Sequence, residues 1–209
     1  MDTTQIKPIE TYYNGYRFRS RLEARWAVFF DAAGIKYQYE PEGYRYTDFD
    51  DNEYFYLPDF YLPDFNIWVE VKGNDKALHK DFYKIVNSVD WGRTPMSDGL
   101  MILGEIPNPT YFSIPVFPFL YNSKAVVFEY AVFGFDNNSK IKITIRDFGK
   151  TNYYWTDTND WNDENPLSFT TKPLYVSRFS TELQSCRSKK IYNCFEKARQ
   201  ARFEHGEKG

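Results

Sequence analysis

Cysteine and histidine are scarce in this 209-residue chain, which has two of each. Cys186 and Cys194 stand eight residues apart on a predicted helix. That is about 12 Å along the axis at ~1.5 Å per residue, too far for the two to bond each other. They imply neither a disulfide framework nor a zinc site, and they fit a reducing compartment. His79 and His205 have no matching cluster of zinc ligands around them. No run approaches the ~18 apolar residues of a membrane span. Met1-Asp2-Thr3-Thr4-Gln5 lacks the charged and apolar regions of a secretory leader, so the expectation is a cytoplasmic protein with no membrane partner. A glycine-rich phosphate loop and a G-x-S-x-G turn are both missing. Excess positive charge is lacking as well. The net charge is −3, so any nucleic-acid contact must come from local basic patches.

What the chain does have is bulk and aromatic surface. A hydrophobic content of 42% with mixed charge describes an ordered globular protein. The length suits one domain, or one with a sizeable embellishment. Eighteen Tyr and nineteen Phe bring the aromatic content to 20%. Such rings serve as base-stacking platforms in some proteins; here core and strand-face packing is the expected use of most of them.

The most informative stretch runs from Tyr56 to Gly73. Two runs of β-branched and aromatic residues flank Pro63-Asp64-Phe65-Asn66, a turn composition. Strand side chains alternate faces, so Glu70 and Lys72 point one way while Val69, Val71 and Gly73 point the other. If Leu62 pairs with Ile67, Asp59 falls opposite Glu70, with Cβ atoms roughly 4.5–5.5 Å apart. Two carboxylates that close repel unless a cation or proton lies between them. Taking Asp64 instead would force Ile67 and Trp68 into the turn, so Asp59 is the aspartate to follow.

Upstream, Leu22, Trp26, Phe29, Phe30 and Ala33 make a helical stripe closed by Gly34, which predicts a helix over 20–33. Ser20-Arg21-Leu22-Glu23 matches a capping box, in which Glu23 returns a bond to the backbone at the helix start. Glu23 also lies in line with Ala27 and Phe30, which would let it lean toward the acidic hairpin. Both readings stand. Arg17, Arg19, Arg21 and Arg25 surround the helix start, where anions are already favoured, and form a candidate nucleic-acid contact.

Residues 35–46 read as strand, turn and extended chain, 47–53 as an acidic loop, and 54–72 as the hairpin. Asn74 to Ser88 is a predicted helix and Leu100 to Leu103 a buried strand. The order of elements implies an α/β fold, a mixed central sheet flanked by helices. The four prolines between Ile106 and Pro118 argue against a central strand there. Lys124–Phe135 and Lys140–Phe148 read as a hairpin, and Asp157–Asn165 as an exposed acidic loop without the glycine of a calcium site. A helix is predicted from Thr181 to about Phe203, with Leu183, Ile191, Cys194, Phe195 and Ala198 inward. From Arg187 to Arg202 its basic residues are Arg187, Lys189, Lys190, Lys197, Arg199 and Arg202, against Glu196. Lys189 and Lys190 are the nucleic-acid candidates here.

Pro58-Asp59 followed by Glu70-Val71-Lys72, with Glu23 on the preceding helix, resembles the PD-(D/E)XK nuclease superfamily. The layout is similar to phage junction-resolving endonucleases and to endonuclease subunits of some transposition systems. Tyr16–Ala27, Tyr39–Gly43 and Tyr56–Phe60 also look like proteins of phages and mobile elements, as does the tail Ala198–Glu207. The resemblance covers a restriction-endonuclease-like core over 16–104 and extends to the tail, while 105–180 adds no motif to it. The residue pattern divides the rest into an N-terminal arm over 1–15, a β-rich extension over 105–180 and a basic helix and tail over 181–209. The resemblance further implies a Mg²⁺-dependent DNA endonuclease, with Mn²⁺ able to substitute. Asp59, Glu70 and the Val71 backbone carbonyl would hold the metal. Glu23 would add a ligand directly, through water, or for a second metal. Lys72 would orient the attacking water or stabilise the transition state. Hard divalent cations take oxygen ligands, which suits this set. Two histidines are too few for the rival HNH chemistry. The partner implied is DNA, a homodimer would supply two sites for a duplex, and a phage or host protein is a further candidate. The alternative is a catalytically silent nuclease fold that binds nucleic acid or a host defence protein.

Overall fold

A computed structural model describes residues 9–48, 51–90, 94–109, 114–146, 171–172, 174–176 and 188–203. Asn14 and Gly15, both at positive φ, turn β1 (Thr11–Tyr13) back on β2 (Tyr16–Phe18). The next element, α1 (Arg21–Ala33), begins at Ser20, whose hydroxyl accepts from the Glu23 N–H. It ends at Gly34, which takes φ 75° in the left-handed region. The cap, the stripe and the stop all fall where the sequence put them.

β3 (Gln38–Tyr39), β4 (Tyr44–Thr47), β5 (Glu53–Tyr56), β6 (Phe60–Leu62) and β7 (Ile67–Val71) follow. The expected single hairpin over 54–72 is corrected. β5 leaves it to pair with β4 in a separate two-stranded sheet, and β6 starts only beyond Pro58. Proline brings no N–H to a ladder, so the strand breaks there. Within the remaining hairpin Leu62 is opposite Ile67, as the loop length predicts. α2 (Asp75–Val89) is capped by the Asn74 side chain, and a 3₁₀ turn at Pro95–Asp98 leads into β8 (Leu100–Leu103), parallel to β7.

β9 (Ile114–Asn122), β10 (Val126–Phe135) and β11 (Ile141–Arg146) extend the same sheet, and β12 (Leu174–Val176) pairs with β9. The sheet order is β11-β10-β9-β8-β7-β6-β3. The prolines did not exclude a central strand, because at each proline of β9 only one flank is paired: Pro118 with Tyr130 of β10 and Pro115 with Tyr175 of β12. Pairing with β8 stops at Phe119, just before Pro118, and pairing with β10 stops at Phe117, before Pro115 is reached. α3 (Lys189–Gln200) closes the described chain. The helix predicted from Thr181 is corrected: α3 starts at Lys189, because the extended Ser188 caps it and its hydroxyl accepts the Ile191 N–H. The acidic loop at 157–165 and the segment 181–187 with Cys186 lie outside the described residues.

The fold is a mixed α/β sandwich. One face of the sheet carries α1 and α3, with Trp26, Phe29, Phe117, Phe133 and Phe195 in a shared apolar cluster. Phe29 stacks on Phe195 at 4.5 Å and meets Phe133 edge-on at 4.9 Å. Such pairs add about 0.5–1.5 kcal/mol each beyond area burial. α2 and Tyr46 and Tyr56 of the β4–β5 pair cover the other face, over Trp68, Leu100 and Ile102. The Trp26 indole N–H donates to the Gly104 carbonyl at 2.8 Å, tying α1 to the end of β8. Gly104 admits no side chain, since a Cβ would come within 1.7 Å of the Thr171 carbonyl oxygen. Among the described residues, no helix is long and apolar enough to cross a membrane.

Candidate active site

β7 is the hinge of the site because its two faces differ. Val69 and Val71 enter the core under α1, while Glu70 turns to the side of Tyr56 and α2. The last ladder pair of the hairpin is Phe60 with Val69, so one step further the same register sets Asp59 against Glu70. Asp59 Oδ2 accepts the Val71 N–H at 2.7 Å. In an antiparallel ladder the hydrogen-bonded residues exchange both N–H···O bonds, and alternate pairs do so. The next residue due opposite Val71 is Pro58, which has no N–H to give. The aspartate side chain thus takes over the Val71 N–H, and the ladder offers no donor to the Val71 carbonyl.

Asp59 and Glu70 are 7% and 4% exposed, so neither charge is dispersed by water. Burial, and then the charges of Glu70 and Glu23, hold the Asp59 carboxyl well above the usual carboxylate range. The Val71 N–H and Lys72 oppose that shift without cancelling it. Burial raises Glu70 too, against the pull of Lys72 and the Tyr56 hydroxyl, which donates to Glu70 at 2.8 Å. Tyr56 itself is raised well above ordinary tyrosine, first by burial and then by Glu70. Lys72 Nζ lies 2.7 Å from Glu70 and 2.5 Å from Asp81. Burial disfavours its charge, but the two carboxylates outweigh that and raise its pKa. At neutral pH Lys72 is therefore a proton-bearing donor, not a base.

Glu23 is buried and does the work of a capping box. Its carboxylate accepts from the Ser20 hydroxyl at 2.6 Å, from the Arg19 N–H at 3.0 Å and from the Tyr39 hydroxyl at 2.7 Å. Burial and that bond raise the Tyr39 pKa. Glu23 nevertheless acts on Asp59 through its charge, which helps to raise the Asp59 pKa. Among the described residues no three acids, histidines or cysteines form a ready metal cage. The oxygens that fit a hard cation are those of the buried carboxylates Asp59 and Glu70, together with the Val71 carbonyl.

The predicted basic contacts separate. Arg17 pairs with Glu10 and Arg19 with Glu40. Lys190 donates to the Ser139 carbonyl and covers the Phe135 ring at 4.0 Å, while Lys189 stands exposed beside it. Arg21 and Arg25 each keep a buried Nε without a hydrogen-bond partner.

Two site residues escaped the sequence reading. Asp81 is nine positions from Lys72 and meets it only because α2 folds back past the end of β7. Tyr56 sits across the Pro58 break. A tyrosine two residues before a Pro-Asp pair was the only visible signal for it. Comparison with protein-family models, with curated proteins and with solved structures finds no match to this chain.

Proposed function

We propose that the protein is a metal-dependent endonuclease of the PD-(D/E)XK type, with a restriction-endonuclease-like core, that hydrolyses phosphodiester bonds in DNA. The observation that carries this reading is the pair of buried carboxylates Asp59 and Glu70, with the Glu70 charge acting on Asp59, beside a Val71 carbonyl that the ladder leaves without a donor. A Mg²⁺ ion held by those three groups, with Mn²⁺ as a substitute, would neutralise phosphate charge and make a bound water more acidic. Lys72, charged at neutral pH, donates hydrogen bonds to an attacking water or to the developing charge on phosphate oxygens. Tyr56 and Asp81 hold Glu70 and Lys72 in place. Glu23 ties the start of α1 to Tyr39 of β3 and adds negative potential at Asp59.

One observation favours the second reading, a nuclease fold that binds without cutting. Lys72 is held between Glu70 and Asp81, so it must leave at least one of them to serve a substrate. The deciding assay uses wild type and Lys72→Ala on plasmid and branched DNA with Mg²⁺ or Mn²⁺. Losing a donor aimed at developing charge typically costs about 10²–10³ in rate, which is the expected drop. Metal-dependent cutting that persists undiminished in Lys72→Ala would remove the site assignment. A wild type that cuts no substrate would leave the binding reading.

A further inference from the structure

Three guanidinium groups line a cleft of about 790 Å³ between the start of α1 and the end of α3, formed by Arg25, Arg199, Gln200, Ala201 and Arg202. The two helices run antiparallel, since Phe29 stacks on Phe195 while Arg25 meets the residues from Arg199 onward. α3 therefore divides its basic residues. Lys189 and Lys190 go to one end, and Arg199 and Arg202 go to the other, about 15 Å away at ~1.5 Å per residue.

Among the described residues no carboxylate pairs with the charge in this cleft. Arg17, Arg19 and Arg45 each pair with a carboxylate, whereas none of the three cleft arginines has an ion pair among the described residues. The Arg25 Nε is buried with no hydrogen-bond partner, and so is that of Arg21, one turn earlier. Helix electrostatics account for Arg199, because a cation is favoured in the last turn of α3. They do not account for Arg21 and Arg25, which crowd the positive end of α1, where an anion is favoured instead. Several planar forks of donors around one space match the oxygens of a phosphate.

We propose that this cleft holds a phosphate group. On the nuclease reading, on which this choice of source rests, it is a backbone phosphate of the substrate strand away from the bond that is cut. Arg25 follows Glu23 by two residues, roughly 200° around α1 at 3.6 residues per turn, so the cleft and the Glu23 carboxylate occupy opposite sides of that helix. The cleft would set where along the strand the hairpin acts.

The test is binding of labelled single-stranded and duplex oligonucleotides to the full chain in EDTA, across a salt series, so that no cleavage intervenes. The variants are Arg199→Gln/Arg202→Gln, whose side chains are exposed, and separately Arg25→Gln. Each lost phosphate contact lowers the slope of log affinity against log salt by about 0.7–0.9. A cleft that holds one phosphate accounts for one such decrement, so the double variant should flatten the slope by about 0.7–0.9 and bind at least tenfold more weakly at low salt. Arg25→Gln should flatten it in the same direction by no more than that. Inorganic phosphate, followed by thermal melting, is the second arm. Protection of wild type but not of the double variant, with oligonucleotide affinity unchanged between them, would overturn the backbone source in favour of a free phosphate. Unchanged oligonucleotide binding with no phosphate protection would overturn the cleft altogether. A wild type that cuts DNA while the cleft variants bind normally would sink the cleft and spare the nuclease reading. A wild type that binds through the cleft but never cuts would do the reverse.

Discussion

Two hairpins of this protein each hold a buried aspartate, and the two are treated oppositely. Asp48, 5% exposed, lies where β4 leads into its loop. It accepts from the Asn52 N–H at 2.9 Å, the Asn52 side-chain amide at 3.0 Å and the Tyr54 hydroxyl at 3.0 Å. Asp59, 7% exposed, lies at the mouth of β6 and β7 with the Val71 N–H on one oxygen and Glu70 across from it. Burial is nearly equal, so burial does not distinguish them. The partners do. An aspartate that shapes a loop collects donors, whereas Asp59 is set against another acid and left short of positive charge. That deficit destabilises the fold and is what a ligand could relieve.

The contrast breaks most visibly if the acids at β6 and β7 are neutralised. Glu70→Gln and Asp59→Asn should each lower cleavage by about 10²–10³-fold and at the same time raise the melting midpoint at pH 8. A rise of roughly 2–4 °C is what about 1 kcal/mol produces in a chain of this size. Single-turnover cleavage and thermal melts check both halves, and a variant that lost activity and stability together would argue for a merely structural pair. Asp48→Ala should do the opposite. Buried donors left unpaired cost about 1–3 kcal/mol, so the midpoint should fall by several degrees with no change in the response to Mg²⁺. Tyr56→Phe removes one of the groups that lower the Glu70 pKa. The acid limb of the cleavage pH profile should therefore move to higher pH, with the midpoint little altered. The smallest effect belongs to Asp64→Asn. Asp64 is half exposed and stands 3.7 Å from Lys36, an ion pair of the kind worth about 0–1 kcal/mol. Cleavage should be unchanged, and a large loss there would reassign the aspartate.

Local rules made much of the fold legible. The Ser20 cap, the Gly34 stop and the Leu62–Ile67 register follow from turn chemistry and side-chain periodicity, and the register alone set Asp59 against Glu70. The alternation of β7 also separated Val69 and Val71 from Glu70. What stayed hidden depends on chain that returns from a distance. Asp81 reaches Lys72 through the path of α2, and Tyr56 reaches Glu70 across a strand break that a run of aromatics disguised. Arg25 meets Arg199 and Arg202 only through the antiparallel packing of helices far apart in sequence. The prolines of β9 misled because a strand can be central as a whole and still have one side free at each proline. Glu23 satisfied both of its readings in part, as a cap by contact and as a neighbour of Asp59 by charge.

The central claim is that Asp59 and Glu70 are held together at a cost that a cation relieves, and the sign of the pH dependence exposes it. Both folded-state pKa values lie above the ordinary carboxylate values of roughly 4. Between the unfolded and folded values the native state binds more protons, so its stability falls as pH rises through that window. The direct measurement is the melting midpoint of wild type and Asp59→Asn from about pH 5 to pH 8, with and without Mg²⁺. Without metal, wild type should lose stability relative to the variant as pH rises. Mg²⁺ should restore it at the alkaline end, act weakly at the acid end, and leave Asp59→Asn unmoved. A wild type that gains on the variant as pH rises, or a Mg²⁺ effect equal in both proteins, would contradict the account.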